Sequence, residues 1–307
     1  MTKETVSCIS RIRTKLISMK VYQGKTFAQV YKRSLKDLLS PEYSVSPRGQ
    51  RINEILNVVH VVEDPTSCLF ENKRRDSQFK YIAAETLYYF AGRRDLAFIK
   101  KYASFWEQIA NSDSTVNSAY GNLIFTEHNK FGISQWDWAY KSLCNDKDTR
   151  QAILLFNKPD YQYFGNKDVI CTLSGIFNIR NNKLNLTVQM RSNDAMLGTP
   201  TDFAFFCLLQ MQMTKILKEQ AYPELELGTF THIANSYHIY ERHFNLAKEM
   251  VAKQFKPVSM PEIGENLIDT LGKPTPAFNI LFDAVEHTQV IYNTEDKLFK
   301  WIYEKTA

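Results

Sequence analysis

Glycine and proline are scarce in this chain, 11 and 10 of 307 residues, while tyrosine and phenylalanine are plentiful at 16 and 20. That balance argues against a disordered chain. No run of about 18 apolar residues occurs, which excludes a helical membrane span. The first residues, Met1-Thr2-Lys3-Glu4-Thr5, carry no apolar stretch, so no secretory leader is expected. The five cysteines (Cys8, Cys68, Cys144, Cys171 and Cys207) show no CxxC spacing. An odd, scattered set speaks against a disulfide framework or zinc site and for reduced thiols in a cytoplasmic setting. Gly-rich phosphate loops, HExxH and GxSxG are all missing, which withdraws support from triphosphatase, zinc-protease and serine-hydrolase readings. Charge of one sign is also lacking: the net +5 suits a small anionic ligand, but solvated lysine faces give the same value. Basic clusters stay as short as Lys73-Arg74-Arg75, so no direct nucleic-acid binding is expected. There are no internal repeats.

What remains is a chain with 44% hydrophobic and 13% aromatic residues, enough for a substantial core. Phe27, Val30, Tyr31, Leu35, Leu38 and Leu39 recur at helical spacing inside a basic lead-in over 1–45. Ser46-Pro47-Arg48-Gly49 is a turn, and the β-branched stretch from Ile52 to Val62 is a strand. Residues 77–91 read as an apolar helix stopped by Gly92, followed by a second helix from Leu96 to Ala110. A strand is expected from Thr149 to Phe156. Two β-rich runs, Asp168 to Arg180 and Leu184 to Arg191, form a hairpin around Asn181-Asn182-Lys183. Pro200 opens a buried helix to Gln220, Phe230 to Tyr240 is a strand, and Leu298 to Lys305 is helical. The mixed order of elements makes α+β the expected class.

Residues 190–202 concentrate polar groups between two apolar runs, which a core segment would not need. Cys171, on the first hairpin strand, is either a small buried hydrophobe or a nucleophile. Arg191 returns towards it along the hairpin, and a fixed guanidinium lowers a thiol pKa. Arg48, Arg150 and Arg191 stand at turns or strand ends, where arginine forks suit phosphate, although surface ion pairs are the plain alternative. Glu85 lies among aromatics, where burial raises a carboxyl pKa into the range of a proton shuttle. Asp202 occupies the first turn of a helix, a position that acidic residues also take to stabilise helix N-termini. His238 and Tyr240 alternate on one strand face and suit a sugar hydroxyl.

Together these residues resemble the thymidylate synthase superfamily from about Arg48 to His243. Arg191-Ser192-x-Asp194-x-x-Leu197-Gly198-x-Pro200 is similar to its Arg-Ser-x-Asp-x-x-Leu-Gly-x-Pro signature, and His238-Ile239-Tyr240 to its ribose motif. Asp148-Thr149-Arg150 resembles the phosphate turn, Glu85 falls at the family glutamate, and Trp106 with Tyr120-Gly121 keeps the Trp…Tyr-Gly spacing. The departures resemble the phage-type deoxycytidylate 5-hydroxymethyltransferases. Ile170-Cys171-Thr172 replaces Pro-Cys-His, Asp202 replaces an asparagine, Ile109 replaces a second tryptophan, and Val116-Asn117-Ser118-Ala119 precedes Tyr120-Gly121. Gln151 stands for a second arginine of the phosphate turn, and the family's short apolar C-terminus is not recognisable.

The resemblance implies a large mixed β-sheet packed with helices, one sheet face forming a homodimer interface. It implies three segments: a helical lead-in over 1–45, a catalytic body over 46–250, and an extension over 251–307 packed on it. The implied activity is transfer of a one-carbon unit from 5,10-methylenetetrahydrofolate to C5 of a pyrimidine nucleoside monophosphate, with dCMP favoured. Cys171 adds to C6, Glu85 moves protons, and Asp202 meets the N3–N4 edge. Arg48, Arg191, Ser192 and a partner's Arg150 hold phosphate, while His238 and Tyr240 hold the sugar. Trp106, Ile109, Asp194, Leu197 and Gly198 line the folate pocket. A dCMP methyltransferase, a thymidylate synthase, a CMP hydroxymethylase and an inactive nucleotide binder stay open as alternatives. A phage-encoded enzyme of this kind would work in the host cytoplasm and feed DNA modification.

Overall fold

The computed structural model describes residues 19–287 and 292–307. Its frame is a mixed sheet in the order β1-β3-β8-β7-β6-β5, with β2 added to β3. The strands are β1 (Lys20–Gly24), β2 (Tyr43–Val45), β3 (Ile52–Val62), β5 (Ile153–Leu155), β6 (Thr172–Arg180), β7 (Lys183–Asp194) and β8 (Glu226–Tyr240). β1–β3 and β7–β8 run parallel and the other pairs antiparallel. β4 (Leu69–Glu71) and β9 (Lys256–Val258) form a separate two-stranded ribbon. This is the expected α+β architecture.

Alternation decides which face is covered. Along β7, Leu184, Leu186, Val188 and Met190 are buried under the helices, while Asn185, Thr187 and Gln189 face away. The β6–β7 hairpin turns on Asn181 and Asn182 alone, both left-handed with φ of 52° and 57°. Two left-handed residues match the right-handed twist of the strands, and asparagine tolerates that conformation. Lys183, expected in the loop, is therefore the first residue of β7 and pairs with Arg180.

Helices α1 (Phe27–Leu38), α2 (Phe79–Phe90) and α6 (Thr199–Gln220) pack over or beside the covered face. α2 buries nine of its twelve residues and stops where Gly92 turns left-handed. The chain after it comes unusually close: a methyl group at Gly121 would stand 1.7 Å from the Tyr89 carbonyl oxygen, so only glycine fits there. α6 has Pro200 in its first turn and is buried almost all round, as its largely apolar sequence requires.

Other elements depart from the sequence reading. The lead-in is helical over α1 only; residues 20–24 are strand β1, locked in the sheet by parallel pairing with β3. Residues 1–18 of that lead-in lie outside the described residues. The single helix expected from Leu96 to Ala110 is two, α3 (Leu96–Ile99) and α4 (Phe105–Ile109), with a turn between them. The strand expected over 149–156 narrows to β5. Helices α5 (Gln135–Asn145), α7 (Phe244–Val251) and α8 (Pro276–Glu286) were not foreseen; α9 (Lys297–Thr306) was. The described residues after 256 brace the rest of the fold. α9 packs on α2, with Trp301 edge-on to Phe79, and Gln212 of α6 receives the Leu267 N–H and donates to Asn266.

Candidate active site

Cys171 stands immediately before β6, not within it as the sequence suggested. The β6–β7 register shifts between Thr172 and Ser174, and the Arg191 N–H instead donates to the Cys171 carbonyl at 2.8 Å. Such a bulge re-aims a side chain at the sheet end. Arg191 is tied to the same turn: Nε donates to Ile170 O at 3.0 Å and Nη2 to Val169 O at 2.5 Å. This leaves Nη2 3.7 Å from the Cys171 sulfur. The expected depression of the thiol pKa does not result. Burial pushes it up, Asp202 and Asp168 add to that, and Arg191 and Arg48 oppose it without prevailing. A more positive or less negative surrounding is needed before the thiolate dominates.

Asp202 counts against the thiolate only when ionised, and it is itself held largely neutral. Burial raises its pKa to about 8, with Glu85 and Asp194 pushing the same way and a hydrogen bond from Asn193 pulling back. A carboxyl protonated at neutral pH can donate as well as accept. Glu85, midway along α2, is raised by burial to about 7 and receives hydrogen bonds on one oxygen from Tyr81 (2.9 Å) and Tyr89 (3.2 Å). These tyrosines lie four residues before and after it, one helical turn each way, so the helix period itself builds the clamp. Trp106 Nε1 donates to the Tyr81 hydroxyl at 3.0 Å and extends the chain to α4.

The remaining expected residues fall in two groups. Ser192, Asp194, Leu197 and Gly198 follow directly along β7 into α6, and Asp194 sits beside His238 in the β7–β8 register. His238 and Tyr240 share a strand face with rings 5.3 Å apart, and His238 Nδ1 is buried with no partner among the described residues. Asp194 fixes the turn into α6 by accepting from Met196 N and Leu197 N. Leu197 is 44% exposed and Ile109 half-buried. Arg48 is exposed on a left-handed turn residue (φ 51°), within electrostatic reach of Cys171. Arg150 is not gathered in. It lies exposed on the turn after α5, and among the described residues it makes no hydrogen bond or ion pair.

Sequence reasoning passed over several members of the cluster. Asn193 donates to Asp202 Oδ2 at 2.7 Å, and Tyr120 accepts from Thr172 Oγ1 at 2.8 Å, next to the cysteine. Asp168 accepts from Ser118 N and Oγ. The signal for Tyr81 and Tyr89 was in plain view, at i−4 and i+4 from Glu85. Asn193 gave none, because its partner lies nine positions on.

Comparison with known proteins agrees with this geometry. The sequence profile of the thymidylate synthase family matches residues 62–279. A deoxyuridylate hydroxymethyltransferase of Bacillus phage SP01 is 30% identical over 232 residues, 72% of this chain, and the chain spans 59% of that relative's length. A deoxycytidylate 5-hydroxymethyltransferase of Enterobacteria phage T4 is 28% identical over 218 residues, 68% of this chain and 84% of the relative. Thermostable thymidylate synthase A from Bacillus subtilis superposes with a TM-score of 0.64 at 19% identity, covering 77% of this chain and 87% of that one. A match over most of the chain, on the sheet and helices that assemble the cysteine, arginine and carboxyl cluster, leads to one conclusion: the chain belongs to the thymidylate synthase family.

Proposed function

We propose that the chain is a folate-dependent deoxycytidylate 5-hydroxymethyltransferase. The observation that carries this is Asp202: half-buried, desolvated and raised to about 8, it offers a neutral acid able to give a cytosine both an acceptor for N4–H and a donor to N3. A carboxylate fixed as an acceptor would leave N3 unpaired, at a cost of about 1–3 kcal/mol. Neutral Asp202 also adds no negative charge against the Cys171 thiolate. Adduct formation from sulfur to C6 makes C5 a carbon nucleophile, with Asp202 relieving charge at N3.

Arg48, Arg191 and Ser192 would hold the 5′-phosphate, and His238 with Tyr240 the sugar 3′-hydroxyl. The outer sheet face supports a homodimer: Val21, Leu155 and Ile176 are exposed there beside Val59, Val61 and Ile233. In such a dimer Arg150, unengaged in its own protomer, would reach the partner's phosphate. Trp106, Ile109, Asp194, Leu197 and Gly198 would hold 5,10-methylenetetrahydrofolate. The exposed apolar Leu197, next to a glycine and the Asp194 turn, fits a flat heterocycle. When bound, that group supplies a one-carbon unit at the oxidation level of formaldehyde. Glu85, titrating at about 7 under two tyrosine hydroxyls, would pass protons and orient the water that completes the hydroxymethyl group. Ile109, smaller than an indole, would leave that water room.

A second reading has a specific footing. A neutral carboxyl can also pair with uracil, and the SP01 relative acts by name on deoxyuridylate. Incubation of the protein with methylenetetrahydrofolate and either dCMP or dUMP, with products identified by mass, tests both. The expected result is 5-hydroxymethyl-dCMP, with tritium release from [5-³H]dCMP abolished in Cys171→Ser. Dihydrofolate with a methylated base, or turnover of dUMP alone, would overturn it.

A further inference from the structure

A neutral carboxyl group does not by itself tell cytosine from uracil. With its proton on one oxygen it matches the amino group and bare N3 of cytosine; with the proton on the other it matches O4 and N3–H of uracil. Discrimination needs something that fixes which oxygen holds the proton. Asn193 is 2% exposed, and its Nδ2 lies 2.7 Å from Asp202 Oδ2 and 3.3 Å from Met190 Sδ. The Met190 sulfur can only accept, so the amide nitrogen and not the amide oxygen belongs on that side. The buried Thr199 hydroxyl, 2.5 Å from Asn193 Oδ1 and 3.1 Å from the Asp194 carbonyl, supports that orientation when its one proton goes to the nearer Oδ1. Gly198 closes the remaining space: a methyl group there would stand 3.1 Å from Asp202 Oδ2 and 3.2 Å from Asn193 Nδ2.

We propose that Asn193 is a positioning residue that reserves Asp202 Oδ2 as an acceptor, so that the proton of the neutral acid sits on Oδ1 and the site reads one pyrimidine edge instead of two. Which base wins rests on the cytidylate reading above; the lock itself does not.

The test is equilibrium binding of dCMP and of dUMP, without folate, to the wild type, Asn193→Leu and Thr199→Val, by titration calorimetry with thermal melting as a fold control. The wild type favours dCMP by about 100-fold or more, as a site built for one hydrogen-bond pattern does. Asn193→Leu brings that ratio down by about 10- to 100-fold, chiefly by gaining dUMP affinity. Thr199→Val, which frees the amide to turn over, falls between. A merely structural role for Asn193 would weaken both nucleotides alike and leave their ratio standing. An unchanged ratio in folded Asn193→Leu overturns the lock and leaves the cytidylate reading intact; if that variant does not fold, an unchanged ratio in Thr199→Val overturns it in the same way. A wild type that favours dUMP, with the preference again lost in the variants, upholds the lock and overturns the cytidylate reading. A wild type indifferent to the base overturns both.

Discussion

Two desolvated titratable pairs lie under the helices, and the protein treats them in opposite ways. Glu85 and Asp202 are supplied with hydrogen-bond donors, from Tyr81, Tyr89 and Asn193. His60 and His232, facing each other across β3 and β8 with rings 5.7 Å apart, are almost bare. Neither His60 nitrogen has a partner among the described residues, and His232 has only the Met190 sulfur at 2.9 Å through Nε2. Burial raises the carboxyls to about 7 and 8 but pushes His232 down to about 3 and His60 well below its ordinary value. Both pairs are thereby neutral at pH 6, by the same desolvation acting on opposite charges. The difference is that partners keep the carboxyls within reach of physiological protons, whereas the histidines are packing groups that happen to carry nitrogen.

The sharpest way to break this contrast is to exchange one member of each pair. Glu85→Gln should lower turnover by about 10²–10³-fold, the usual worth of a positioned acid–base group, with little change in melting temperature. His60→Leu should leave turnover within about twofold and hold or raise stability, since an unpartnered buried imidazole costs about 1 kcal/mol or more. Tritium release from [5-³H]dCMP and thermal melting of both variants check the pair. A large activity loss in His60→Leu would erase the distinction.

Stability against pH separates the pairs next. Carboxyls whose pKa is raised on folding hold protons that the unfolded chain has lost, so stability falls as pH rises from the ordinary carboxyl range through about 8. Histidines whose pKa is lowered do the reverse: the unfolded chain binds protons first, and stability falls as pH drops from about 6.5 to about 3. Urea titrations should show a decline of about 1 kcal/mol between pH 7 and 8 that Asp202→Asn removes. The acid decline should be shallower in His60→Leu and steeper in Asp202→Asn, because the raised carboxyl offsets it down to about pH 4.

Tyr81→Phe should cost less activity than Glu85→Gln. Removing one of two donors to Glu85 raises its pKa further and costs activity by about 5- to 10-fold. The pH–rate profile should move upward with it, a displacement that loss of packing alone would not produce.

Much of this was legible in the amino acids, because it follows from local rules. The limits of β3 follow from β-branched residues between two turns, and the hairpin from Asn181-Asn182 between alternating runs. Residues 191–202 hold together because they are one continuous strand-turn-helix. What escaped depended on distance or on weak punctuation. The apolar spacing of 96–110 runs unbroken across a turn, so two short helices read as one. Helices α5 and α8 did announce themselves, with Ser134 and with Thr275-Pro276 capping their starts, but aromatic and proline neighbours masked the period. The direction of the Cys171 shift was not legible at all, because Arg191 is visible in a sequence and burial is not.

The brace after residue 256 sets an order on how the protein is made. Every residue proposed to touch nucleotide or folate lies between 48 and 240, and has left the ribosome before Gln212 meets Asn266 and Leu267, or Arg93 meets Glu286. The helices that carry Glu85 and Asp202 pack on each other, α6 also on the sheet, and both are braced further by residues after 256. A nascent chain that has reached residue 255 therefore holds its whole chemical inventory while still lacking that brace, and competence waits on residues made later.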